Sequence, residues 1–328
     1  MNLRTLLTRF SRGEISIDEL QKQISVHSIE QVANNVAQLD VNREIRKEIP
    51  EVILAKGKQY ADLLEITRAA VRRNGQVIVS KVQPEQLLNR FCKALRKTKL
   101  DIEVGKKSST ILVSNKSHLL TPSASSPSRS KNSNTSNTSN GISNRSSSGS
   151  GGRSTLAGKI GILAAGTSDI GIAEEARLMA KSMGCETIAS YDVGIAGMHR
   201  LFPALREMIS ENVGAIVVVA GMEGALASVV TSMVNIPVIG VPTSVGYGFG
   251  SDGIAALASM LQSCTPGLSV VNIDNGIGAG ATAALISNQL AKKMTEEERK
   301  KERRNETTRK TTKKEAEKEV AASKMTTG

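Results

Sequence analysis

The sequence predicts an α/β protein: a small α/β or α-rich module, followed by a parallel β-sheet covered with helices on both faces. Three observations support this reading. Residues 158–291 alternate short β-branched runs with helical stretches of about ten residues or more, the pattern of strands joined by crossover helices. Each of those runs ends in a loop of glycine, hydroxyl and acidic residues. Between 114 and 153 the composition collapses into Ser, Asn, Thr and Gly, which divides the 328-residue chain in two.

The first module, 1–113, opens with short helices near 3–10 and 17–26. Arg and Leu in MNLRTLLTRF suit a transit peptide, but Ser16 followed by Glu19 fits a capping box, and Glu14, Asp18 and Glu19 argue for folded protein. A strand at Glu51–Ala55, a helix at Tyr60–Arg73 closed by Asn74-Gly75, and a strand at Gln76–Val82 follow. Pro84 suits the first turn of a helix to about Arg96, and Asp101–Val104 and Thr110–Val113 are short strands. Lys56-Gly57-Lys58 reads as a solvated turn. Residues 114–153 cannot offset their ordering entropy and read as a flexible linker that permits the first domain to move.

In the second domain, 154–291, strands are expected at Lys159–Ala164, Glu186–Ser190, Ala215–Val219, Pro237–Val241 and Leu268–Ile273. Helices are expected at Ile172–Met183, His199–Ser210, Gly224–Met233, Gly253–Ser263 and Ala281–Lys293. The tail, 292–328, is a run of Glu, Lys, Arg and Thr with no apolar face, helical or disordered.

The net charge of +12 invites a nucleic-acid partner until it is divided along the chain. It is +7 over 1–113, +5 over 114–153, −5 over 154–291 and +5 over 292–328. The best-patterned half is acidic, and with aromatics at 2% and no Trp, stacking on single strands has little material, so a nucleic-acid partner is not expected. Cys92, Cys185 and Cys264 are scattered, as are His27, His118 and His199, which argues against structural zinc and disulfides and for a reducing, cytoplasmic setting. No apolar run approaches the roughly 20 residues that span a bilayer.

The loops after the five strands carry the chemistry: Gly166-Thr167-Ser168-Asp169, Asp192-Val193-Gly194, Gly221-Met222-Glu223-Gly224, Pro242-Thr243-Ser244 and Asp274-Asn275-Gly276. In a parallel sheet they fall on one edge, where ligands bind beyond the carboxyl ends of the strands. Glycines admit an anion to backbone N–H groups, and hydroxyls complete a phosphate cradle. Asp169 could bind a divalent ion, orient a phosphate or cap the next helix. Glu223 suits a base or a favourable neighbour of a helix dipole. Arg200 suits a carboxylate or phosphate, and His199 an active role or an ordinary helix start. Cys264 is a nucleophile or a small apolar side chain.

The segments AGTSD, YDVGIAGMHR, VVAGMEGALASVV, PTSVGYG, LQSCTPG and VVNIDNG resemble the LarB family, in order, across nearly the whole second domain, and NLRTLLTRFSRGEISIDEL and EIPEVILAKGK resemble its first domain. That family is related to the aminoimidazole ribonucleotide carboxylases (PurE-like), so the resemblance implies a flavodoxin-like, three-layer parallel sheet and a homo-oligomer, commonly an octamer. It also implies carboxylation of nicotinate adenine dinucleotide at C5 of its pyridinium ring by CO2, and hydrolysis of its phosphoanhydride. The products are pyridinium-3,5-biscarboxylate mononucleotide, a precursor of the nickel-pincer nucleotide, and AMP. Cys264 matches the family's nucleophile; Glu223 would be the base, and His199 and Arg200 resemble the His-Arg pair of the purine carboxylases. Gly166, Thr167, Ser168, Asp169, Asp192, Arg200, Gly221, Met222, Ser244, Asp274 and Asn275 would bind substrate. No covalently bound cofactor is expected, and Mg2+, held by Asp169, is a candidate ion. Two other functions fit the pattern: a carboxyaminoimidazole ribonucleotide mutase, and a module that binds a nicotinate nucleotide without turnover. The sequence departs from the family at Ala227, where a proline is usual, at Phe249-Gly250-Ser251-Asp252, and in its long linker.

Overall fold

The computed structural model describes residues 3–25, 29–32, 37–40, 43, 47–115, 157–297 and 300. The expected linker and charged tail therefore lie almost wholly outside the described residues. Helices α1 (Leu3–Ser11) and α2 (Ile17–Ser25) open the chain, and Ser16 Oγ accepts the Glu19 N–H at 3.1 Å, as the capping-box spacing predicts. An antiparallel pair, β1 (Ile29–Val32) and β2 (Ala37–Asp40), was not expected from the sequence. IEQV does not alternate, and AQLD alternates over only four residues, too short a run to mark a strand.

The first domain is built on β3 (Val52–Leu54), α3 (Tyr60–Asn74), β4 (Gln76–Ser80), α4 (Glu85–Arg96), β5 (Asp101–Val104) and β6 (Ile111–Ser114). Its sheet runs β3-β4-β6-β5, with β3 and β4 parallel and the other pairs antiparallel. Gly75, at φ +79°, ends α3 in the left-handed region. The alternation along β4 explains why the sheet is buried on both sides. Val77 and Val79 pack with Leu63, Phe91 and Leu95 of the domain's own helices, whereas Ile78 and, on β6, Leu112 point the other way into the core of the second domain.

The second domain contains five parallel strands: β7 (Lys159–Ala164), β8 (Glu186–Tyr191), β9 (Ala215–Ala220), β10 (Val238–Pro242) and β11 (Leu268–Val270). They lie in the order β11-β10-β9-β7-β8, the flavodoxin-like arrangement. Val217 and Val219 face the layer of α5 (Ile170–Ser182) and the long helix α9 (276–297). Ile216 and Val218 face α6 (Leu201–Ser210), α7 (Ala225–Met233) and α8 (Ile254–Leu261). Burying each such side chain contributes about 1.5–3 kcal/mol.

Three boundaries differ from expectation for local reasons. The helix expected from His199 begins earlier as a 3-10 turn, Ile195–Arg200, interrupted at Gly197. Strand β11 stops at Val270, ahead of a turn in which Asp274 takes φ +55°. Helix α9 starts at 276 rather than Ala281, because Asn275 Oδ1 accepts the Gly278 N–H at 2.9 Å and caps it. Among the described residues no helix is long and apolar enough to cross a membrane.

Candidate active site

Strand order reverses between β7 and β9, which opens a crevice beyond their carboxyl ends. Asp169 sits there, 4% exposed. Its Oδ2 accepts the Gly166 N–H at 2.9 Å and its Oδ1 accepts the Thr243 hydroxyl at 2.7 Å, so one carboxylate ties the loop after β7 to the loop after β10. Burial pushes its pKa up, with the charge of Asp274 adding to the effect, against hydrogen bonds from Thr243, Gly166 and Gly221. Helix α5 begins with no side-chain cap, so the capping role considered for Asp169 is not realised. Both its oxygens are engaged by protein donors, and the described residues contain no group of three or more His, Cys, Asp or Glu placed to hold a metal. This does not fit an Mg2+ site.

The neighbouring loops are held just as closely. Met222 N–H donates to Val245 O at 2.9 Å, and Ser244 N–H donates to Asp274 Oδ1 at 2.9 Å. A Cβ on Gly221 would lie 2.2 Å from Val245 O, so only glycine lets the loops after β9 and β10 meet. On the other side, Gly194 N–H donates to Ala165 O at 2.9 Å, which brings in the loop after β8. There Asp192 and Arg200 form an ion pair. Met222, Glu223, Thr167, Ser168, His199, Arg200 and Ser244 are exposed along this rim, while Asn275 is committed to capping α9. The convergence of the five loops expected from the sequence is therefore present.

Cys264 does not join them. It precedes β11, whose Leu268 pairs with Val238 at the start of β10, and so it lies at the amino edge of the sheet. Its neighbour Ser263 accepts the Ser228 hydroxyl at 2.8 Å, about one turn into the helix that follows the Glu223 loop, whereas the loop containing Ser244 lies beyond Pro242 at the other end of β10. Cys264 is the exposed cysteine; Cys92 and Cys185 are buried. Burial pushes the Cys185 thiol up to about 12, opposed by its contact with Asn288. The sequence singled out Cys264 as a candidate but could not show where on the sheet it lies.

Two further residues escaped the sequence reading. Glu175 of α5 is 3% exposed; its Oε1 accepts the Thr110 hydroxyl of the first domain at 3.0 Å, and its Oε2 has no hydrogen-bond partner among the described residues. Leaving such an oxygen unpaired costs about 1–3 kcal/mol. Lys81, just after β4, takes φ +56° and reaches Asp274 O at 3.5 Å. Both line a cleft of about 1100 Å³ between the domains, together with Ser168, Ser244 and Asp274 of the carboxyl edge. The available signal was the pattern of α5, IGIAEEARLMAKS: Glu174, Arg177 and Lys181 share one face at i, i+3, i+7, whereas Glu175 falls on the apolar face with Ile172, Ala176 and Met179.

Comparison with known proteins gives matches over both domains. A family model described as LarB/PurE-like N-terminal domain matches residues 29–114, and one described as AIR carboxylase matches residues 159–311. An uncharacterized protein of Methanocaldococcus jannaschii is 43% identical over 291 residues, covering 89% of this chain and 99% of its own length. The N5-carboxyaminoimidazole ribonucleotide mutase of the same organism is 36% identical over 143 residues, 41% of this chain and 85% of the mutase. The mutase of that name from Thermotoga maritima is 29% identical over 149 residues, 42% of this chain and 82% of its own.

Proposed function

We propose, for a chain that belongs to the LarB-like family with a PurE-like domain, that it carboxylates nicotinate adenine dinucleotide at C5 and hydrolyses its phosphoanhydride. The products are pyridinium-3,5-biscarboxylate mononucleotide and AMP. Enzyme chemistry of the carboxylase or mutase kind is supported by the AIR carboxylase and LarB/PurE-like domains together with the two mutase relatives. The observation that favours the dinucleotide over a purine substrate is Cys264, an exposed cysteine in a chain whose other cysteines are buried.

A pyridinium ring is electron-poor and does not attack CO2. Addition of the Cys264 thiolate to the ring moves an electron pair onto the ring nitrogen and leaves a dienamine whose C5 is nucleophilic. C5 then bonds to CO2. Glu223 removes the C5 proton, and the C–S electrons return to sulfur as the ring regains its aromaticity. Water attack on the phosphoanhydride releases AMP. Arg200 and the loop hydroxyls of Thr167, Ser168 and Ser244 are suited to the carboxylate and phosphoryl oxygens.

In the expected homo-oligomer, Cys264 of one copy is proposed to serve the loops of another. Exposed Tyr247, Phe249, Ile254 and Leu261 give the second domain apolar surface for such a contact, consistent with the expected homo-oligomer. A cytoplasmic, reducing setting would keep the thiol available.

The test is a mass spectrum of products after incubation with the dinucleotide and 13C-bicarbonate, with Cys264→Ala in parallel. Labelled dicarboxylated mononucleotide and AMP from the parent protein alone are expected; unchanged dinucleotide from both would overturn the reading. The mutase resemblance favours one second reading, interconversion of carboxyaminoimidazole ribonucleotides. That activity needs no cysteine and would survive Cys264→Ser.

A further inference from the structure

Glu175 and Lys81 have no part in the carboxylation steps above, yet both line the cleft between the domains. At about 1100 Å³ the cleft is large enough for a nucleotide, given that ligand pockets run to roughly 300–1000 Å³. Its first-domain wall is fixed in place: Lys106 N–H donates to Glu174 Oε2 at 3.0 Å, and a Cβ on Gly171 would meet Lys107 O at 2.6 Å. The turn 105–109 therefore rests directly on the start of α5.

Two features of the cleft point to a ligand. Glu175 Oε2 is a buried carboxyl oxygen on the wall, without a partner among the described residues. Lys81 Nζ has one weak contact, the Asp274 carbonyl at 3.5 Å, and among the described residues no carboxylate lies within ion-pair distance of it. The hydroxyls of Ser108, Ser168 and Ser244 also line the cleft.

We propose that this cleft binds the phosphoryl groups of the nucleotide, with Lys81 of the first domain supplying the cation and protonated Glu175 donating a hydrogen bond to a phosphoryl oxygen. The ligand class rests on the dinucleotide reading given above. The groups that face Glu175 are Lys81, Asp274 and the Thr110 hydroxyl, and the other charged side chains lining the cleft are Lys107 and Glu85. Burial holds Glu175 up at about 7, with Asp274 adding to it and Lys81 and Thr110 opposing. A phosphoryl anion beside it further favours the proton, so binding takes up a proton and weakens as pH rises through that value.

The experiment titrates the full chain with ADP-ribose, whose pyrophosphate is esterified at both ends and does not change charge near neutrality. Thermal unfolding of each variant establishes that it is folded. Wild-type affinity should fall about tenfold between about pH 6 and about pH 8. Glu175→Gln, which keeps a donor but cannot ionise, should bind with no such fall, and Lys81→Ala should bind about tenfold more weakly at both values. Wild-type affinity that ignores pH, Lys81→Ala binding like wild type, or no binding at all would each overturn the proposal. Dinucleotide turnover on the same preparations separates the two readings. ADP-ribose binding with this pH dependence but without turnover sinks the reaction and leaves the cleft; turnover without it sinks the cleft.

Discussion

Glu174 and Glu175 are adjacent in one helix and both buried, yet they are driven in opposite directions. Burial alone would raise both. Glu174 is brought below the usual carboxylate range because Arg177 holds both its oxygens, at 2.8 and 2.9 Å, and the Tyr191 hydroxyl and Lys106 N–H donate as well. Glu175 has only Thr110 and is left at about 7. An acid whose folded pKa lies above its unfolded value of 4.5 holds its proton longer in the folded state, so its contribution to stability declines as pH rises from about 4.5 to about 7. Glu175→Gln should therefore stabilise the protein by up to about 3 kcal/mol near pH 8, with the gain gone near pH 4.5, as read by chemical denaturation at both values. A gain that persists in acid would point to packing instead. The i,i+3 spacing within the helix already assigns Arg177 to Glu174 rather than to Glu175 at i,i+2; what was not legible is that Thr110, far away in the chain, would be the hydrogen-bond partner of Glu175.

Among the elements, α5 carries the most varied load: it follows the Asp169 loop, packs on the central sheet, and receives the sheet of the first domain through Ile78 and Leu112. Gln76 Nε2 donates to Ser182 O at 2.7 Å, and Arg177 reaches Glu103 at 2.8 Å, so polar contacts also cross between the domains. Gly171→Ala should force the 105–109 turn away from α5, at a cost of about 1–3 kcal/mol. Hydrogen exchange should then quicken in 105–110 while β9 keeps its protection; equal loosening of both would show that the domains do not part there. The strands of the second domain were legible because a run such as AIVVVA is β-branched and bounded by glycine, and its loops because small residues recur at each strand end. Docking of the first domain was not legible. It joins Gln76 to Ser182 and Thr110 to Glu175, pairs far apart in the chain with no local signature, and the long linker suggested freedom instead.

At the scale of the whole molecule, the acidic second domain presents two edges of one sheet. The carboxyl edge holds the loops around Asp169, with the first domain as a wall, and the amino edge holds Cys264. If the reaction joins Cys264 of one chain to the loops of the next, each chain is donor to one site and acceptor at another. That has an arithmetic outcome for mixed populations. When wild-type chains are co-assembled with chains carrying both Cys264→Ala and Glu223→Gln, a working site needs two independent wild-type contributions, and specific activity should follow the square of the wild-type fraction. A straight-line dependence would mean that each chain completes its own site. Head-to-tail sharing of this kind also makes the enzyme dilution-sensitive: below the concentration at which chains associate, catalysis stops although every chain remains folded.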